Sequence, residues 1–232
     1  MEHPIMFLAI LAELFGESAG EFVHHYPHLA YAWLIMIVLI ILSKLATAKV
    51  RLVPEGGLQN FFEYVIESLE NFQVTIMGEG GRRFFPFLGT IFIFVLCCNL
   101  QGLIPGSFAP TSNLNTTASL AVLIFLMTHI VGISKHGFRY VKHFMGPMPV
   151  LAPLMFVIEV ISHLSRLISL TLRLFGNVMG EDLVVLILFS LAGAYFVPLP
   201  MMFLGLLTGF LQAFIMTLLA MIYISDAMHE AH

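Results

Sequence analysis

Five apolar runs, each long enough or nearly long enough to cross a bilayer as a helix, occupy residues 29–47, 84–104, 117–134, 150–196 and 199–225. A hydrocarbon core is about 30 Å thick and asks for about 20 apolar residues in a helix. None of the runs alternates as a strand does, and lipid cannot satisfy exposed backbone polar groups, so the spans must be helices. Charged residues make up 10% of the chain and hydrophobic residues 59%, against about 25% charged for a soluble domain. The expected architecture is an all-α polytopic membrane protein with residues 1–232 as one membrane domain.

The remaining segments are short. An outer amino-terminal segment covers residues 1–28, in which Ile5–Leu14 reads as a short interfacial helix, not a signal peptide, because no Lys or Arg precedes it. Between the first two spans, residues 54–77 carry Phe61, Val65, Leu69 and Phe72 at helical spacing, with Glu63, Glu67 and Glu70 elsewhere around the helix. That pattern predicts an amphipathic helix lying along the membrane surface.

The basic residues orient the spans. The first 43 residues contain no Lys or Arg. Lys44, Lys49 and Arg51 follow the first span, Arg82 and Arg83 precede the second, and Lys135, Arg139 and Lys142 join the third to the fourth. The loops 105–115 and 193–200 have none. The positive-inside rule then puts the amino end outside, the carboxyl end in the cytoplasm, and eight of the ten basic residues on the cytoplasmic side.

The other two, Arg166 and Arg173, lie inside the fourth run. A guanidinium stays protonated at any physiological pH. Placing a cation at the bilayer centre costs about 2.5–3.5 kcal/mol on insertion scales, so such a residue points to function. Glu159, Arg166 and Arg173 are spaced by seven, which puts them close to one helix face. Ser162 and Ser169 lie four residues before the arginines, Asn177 lies four after Arg173, and Glu181 and Asp182 follow. Gln212 in the fifth span is flanked by Gly205, Thr208 and Gly209, residues that permit close helix approach and interhelical hydrogen bonding. No acid stands three or four residues from Arg173, so its counter-charge must come from elsewhere, another subunit included. The fourth run, at 47 residues, is about 70 Å as one helix; it must be strongly tilted, broken near Gly176-Asn177 or Gly180, or both.

Other chemistries find little support. The chain holds no phosphate-binding Gly-x-x-x-x-Gly-Lys loop and no basic tail, and its net charge of −4 offers nothing to nucleic acid. Cys97 and Cys98 are adjacent, which suits neither a disulfide nor a metal site. His24, His25 and His28 read as a solvated interfacial cluster, and no cofactor or metal is expected. A proton-coupled secondary transporter is the alternative function, but no internal repeat is visible. An intramembrane hydrolase would need a partnered nucleophile, which Ser162, Ser169 and His163 do not offer by spacing. A structural anchor leaves Arg173 unexplained.

Ser169-Leu170 followed by Arg173-Leu174-Phe175-Gly176-Asn177, with Leu211-Gln212-Ala213-Phe214-Ile215, Asn99-Leu100-Gln101-Gly102-Leu103-Ile104-Pro105 and Pro110 to Thr117, resembles subunit a of the F-type ATP synthase over residues 29–228. The resemblance implies a non-catalytic stator subunit with two proton half-channels beside a rotating ring of c subunits. The last two spans would form a long tilted hairpin against that ring. It implies Arg173 as the essential cation facing the ring carboxyl. Asn177, Glu181, Asp182 and Gln212 would line the outer half-channel, and Ser169, Arg166 and Glu159 the cytoplasmic one. Implied partners are the c ring, b subunits and the rest of the complex, in a bacterial inner membrane. Two positions depart from the family pattern: a histidine of the last span is Gly205 here, and an acidic position of the second span is Gly102. The outer relay should therefore lean on Asp182, Glu181, Gln212 and water.

Overall fold

The computed structural model describes Leu8 and residues 17–47, 57–104, 106–137, 152–192 and 199–229. The interfacial helix expected at residues 5–14 therefore falls, apart from Leu8, outside the described residues. Five helices are long and apolar enough to cross a membrane. With α1 (Glu17–His25), α2 (Pro27–Thr47) and α3 (Gly57–Met77), the order continues through α4 (Phe85–Gly102), α5 (Leu114–His136), α6 (Ala152–Ala192) and α7 (Leu199–His229). All described regular structure is helical, as the apolar runs require.

Local chemistry sets the ends. Pro27 and Pro86 sit in the first turns of α2 and α4, where a missing N–H costs nothing. Asn113 caps α5, its side chain accepting from the Asn115 backbone N–H at 2.9 Å. Gly137, at φ 56°, ends the same helix in a backbone conformation that side-chain-bearing residues avoid. Gly78, at φ 72°, likewise allows α3 to turn into a 3-10 segment at Glu79–Phe84.

The amphipathic stripe of α3 divides in two. Leu69, Phe72 and Ile76 pack against the core, and Phe72 meets Phe214 of α7 with ring centroids 5.1 Å apart. Phe61 and Tyr64, at the start of the helix, remain exposed. Gln73 is fully buried and donates to the Gly81 carbonyl at 2.7 Å, while Arg82 reaches Glu70 at 2.7 Å. These contacts fasten the helix to the base of α4.

The core lies among α4, α5, α6 and α7. Leu88 and Val95 of α4, Ile124 of α5, Leu174 of α6, and Met216 and Ile224 of α7 are all buried there. Helices α4 and α7 share an extensive contact, at which α7 presents Gly209 to Asn99 of α4. A Cβ on Gly209 would sit 3.2 Å from the Cβ of Asn99. In a bilayer, where lipid tails are as apolar as the helices, such close packing is what holds neighbours together.

Helix α6 runs without interruption through Gly176, Asn177 and Gly180. Gly-Asn, a common helix stop, does not act as one here. The helix holds 41 residues and is about 60 Å long, twice the bilayer core, so it must lie steeply inclined to cross. Only 11% of its membrane window is buried, against 44% for the span ending in α4. Most of α6 is thus an outward-facing apolar surface, with Leu164, Ile168 and Leu172 among its exposed residues.

Candidate functional site

Arg173 lies midway along α6 on its exposed side. Its Nη2 donates to Ser169 Oγ, one turn back, at 3.4 Å, a long and weak hydrogen bond. Among the described residues no carboxylate forms an ion pair with it. Its immediate neighbours explain the orientation: Leu170, Leu174 and Val178 take the inward stripe and are buried, which leaves position 173 facing out.

Asn177, one turn further, turns toward α7. Its Nδ2 donates to Gln212 Oε1 at 2.8 Å, and Gln212 is 3% exposed. The pair bridges α6 and α7 across a 35-residue separation, with an amide pairing that could not be read from spacing within either helix.

Beyond it, the two carboxylates of α6 point into the gaps left by two glycines. Glu181 Oε2 accepts from Thr208 Oγ1 at 2.9 Å. A Cβ built on Gly205 would overlap the Glu181 carboxylate outright. A Cβ on Gly102 would lie 3.3 Å from Asp182 Oδ1 and 2.8 Å from the Cβ of Ala109. The Ser112 hydroxyl, at the end of the short 3-10 turn Pro110–Ser112, donates to the Ala109 carbonyl at 2.8 Å. The two glycines that the resemblance singles out as departures, Gly205 and Gly102, are therefore the two places toward which acidic side chains of α6 extend. Sequence inspection names the substitutions; only the packing reveals that they are filled from the neighbouring helix.

Asn99 completes this end. It is buried, donates from Nδ2 to the Gly209 carbonyl at 2.9 Å and accepts from Thr111 Oγ1 at 2.8 Å. Its role is to fasten α4, α7 and the Pro110 turn together, a part the sequence motif around it did not disclose.

Toward the other end of α6, the seven-residue stripe does not stay on one side. Seven residues fall about 20° short of two full turns, so the stripe drifts. Arg166 stacks over Tyr223 of α7, with 5.1 Å from guanidinium carbon to ring centroid, while Glu159 Oε1 lies 3.2 Å from Nε2 of His163. Arg166 thus faces the groove toward α5 and α7, Glu159 lies against His163 one turn on, and Arg173 faces outward. Spacing points to no catalytic partner for His163; the structure sets it against Glu159. Among the described residues, no three His, Cys, Asp or Glu side chains converge as a metal site, and Cys97 and Cys98 are free thiols.

A bundle of inclined membrane helices with a line of polar and ionisable groups running along one of them is the architecture of an ion-translocating membrane subunit. The sequence profile of the ATP synthase A chain family matches residues 29–225. Curated relatives called ATP synthase subunit a include those of Geotalea uraniireducens and Geobacter sulfurreducens, each 53% identical, and that of Syntrophobacter fumaroxidans, 50% identical; each alignment covers all of both chains. The chain belongs to the ATP synthase subunit a family.

Proposed function

We propose that this chain is the non-catalytic stator subunit through which a bacterial ATP synthase passes protons across the inner membrane, with Arg173 as the fixed cation that meets carboxyl groups carried by a moving ring of c subunits. The observation that carries this reading is the position of Arg173. It projects from the outward apolar face of α6 and has no described carboxylate of its own. A permanent cation in a low-dielectric setting needs an anion. An exposed apolar face in the membrane accommodates a second helical surface that brings one.

The chemistry follows from the guanidinium. A nearby cation favours the ionised form of an arriving carboxyl, and each pKa unit is about 1.4 kcal/mol. Arg173 can therefore discharge that carboxyl without itself carrying a proton, and it bars direct passage between the two access paths. Asn177, Gln212, Glu181 and Asp182 form the outer path, with the two acids compensating for Gly205 and Gly102. Ser169, Arg166 and Glu159 flank the cytoplasmic path. The offset of the two paths along an inclined α6 makes ring movement obligatory for passage. The driving force is about 2.3 kcal/mol per charge per 100 mV. The amino end is outside and the carboxyl end cytoplasmic, supported by Lys44, Arg82, Arg83 and Lys135 at one set of helix ends. The c ring, b subunits, the remaining complex and surrounding lipid are its partners.

The test is Arg173→Ala in the complex reconstituted into proteoliposomes. ATP-driven proton pumping should be lost while ATP hydrolysis by the soluble sector persists; normal pumping refutes the assignment.

A further inference from the structure

His129 and His163 play no part in the function proposed above, yet they meet across two helices. Their ring centroids are 5.1 Å apart, His129 on α5 and His163 on α6. Nδ1 of His129 is 2.9 Å from the Phe125 carbonyl. A carbonyl can only accept, so Nδ1 holds the proton and Nε2 is the nitrogen that gains and loses one. His163 Nε2 faces the Glu159 carboxylate at 3.2 Å, and the His163 side chain is only 14% exposed. The pair borders a small cleft of about 20 Å³ between α5, α6 and α7, lined also by Phe125, Arg166, Leu170 and Tyr223. The ionisable groups lining it are His129 from α5, His163 and Arg166 from α6, and Tyr223 from α7, with Glu159 set against His163 at its edge. Three exchangeable sites in a membrane-embedded cleft are costly unless used.

We propose that Glu159, His163 and His129 form a proton-loading station in the cytoplasmic access path. This rests on the stator reading. A proton taken up by the Glu159 carboxylate neutralises it. Its transfer to His163 Nε2 restores the carboxylate and leaves an imidazolium, and release of one proton from that ring into the cleft, directly or by way of His129 Nε2, returns the cluster to its starting charge. Two imidazoliums side by side, beside the Arg166 cation, repel, so the station holds one proton on its rings at a time. Ten residues separate His163 from Arg173, about 15 Å along the helix. The station therefore supplies protons to the path and does not meet the ring carboxyl itself. Both histidines are positioned to raise the rate of proton capture when protons are scarce.

The experiment uses the whole complex in proteoliposomes with the ATPase sector outside, comparing His163→Gln, His129→Gln and Arg173→Ala across a range of external pH. His163→Gln should slow ATP-driven pumping by roughly three- to tenfold above about pH 8, where protons in the external medium are scarce, and by less than about twofold near pH 6. His129→Gln should show the same pH-selective loss with a smaller amplitude. Millimolar imidazole added outside should restore the alkaline rate, which a purely structural defect would not allow. Unchanged rates and pH profiles in both histidine variants overturn the station, and so does a pH-independent loss that imidazole leaves untouched. Arg173→Ala separates the two levels. If it is inactive while the histidine variants behave as wild type, the station alone fails; if it pumps normally, the stator reading fails.

Discussion

Gly205→Ala is the smallest change that tests how the outer half of the site is built. A methyl at this position would occupy the space of the Glu181 carboxylate and would lie 2.8 Å from Leu103 Cδ2. Leu103 can yield by rotating its side-chain end. Glu181 cannot stay where it is, and turning away breaks the 2.9 Å bond from Thr208. Hydrogen bonds to charged groups contribute about 1.5–3 kcal/mol, and about 1.4 kcal/mol is a factor of ten in rate. If the displaced carboxyl is a step in the outer path, pumping should fall by roughly 10- to 100-fold. The control is the double-mutant cycle with Glu181→Ala, which removes the group the methyl strikes. Gly205→Ala should then cost little beyond the loss already caused by Glu181→Ala. Initial pumping rates in proteoliposomes, normalised to assembled complex, give the four corners. An equal cost for Gly205→Ala in both backgrounds would refute the reasoning, since the penalty would not then pass through Glu181.

Three further outcomes are expected. In a cycle of Asn177→Leu and Gln212→Leu, the coupling measured by thermal stability should be near 0.6 kcal/mol and not above about 1.7, the range of hydrogen bonds between membrane helices; additive effects would mean that the 2.8 Å contact contributes nothing. Asn99→Ala leaves the fully buried Thr111 hydroxyl without its acceptor, so it should destabilise the folded chain by about 1–3 kcal/mol, read from its denaturation midpoint in detergent. Arg82→Gln removes a contact to Glu70 between partly exposed side chains and should cost no more than about 1 kcal/mol, less at high salt; a larger, salt-independent loss would mean that α3 is fastened chiefly by this ion pair.

The residues that declare this chain a membrane protein are local: apolar runs, the charge map, Pro27, Asn113 and Gly137. Each acts within one helix or at its end, so spacing and composition expose it. Arg173 was legible for the same reason, because the cost of a cation in hydrocarbon does not depend on knowing its neighbours. The continuity of α6 through Gly176-Asn177 was not legible. Helix-stop residues act by offering alternatives to the backbone, and burial of Leu174 and Val178 on either side outweighs that local preference.

What the sequence determined by itself is the number and kind of the membrane spans and the presence of costly polar groups within them, since lipid imposes those constraints on each helix separately. The tertiary structure alone decided which polar groups meet. Asn177 bonds Gln212, Glu181 extends into the gap at Gly205, Asp182 approaches Gly102, and His163 comes beside His129. These pairings depend on how far each helix slides and rotates against its neighbour, and that is set by the packing of small residues at contacts such as Asn99 with Gly209. A shift of one turn, about 5.4 Å, would leave the sequence pattern unchanged and bring different partners together.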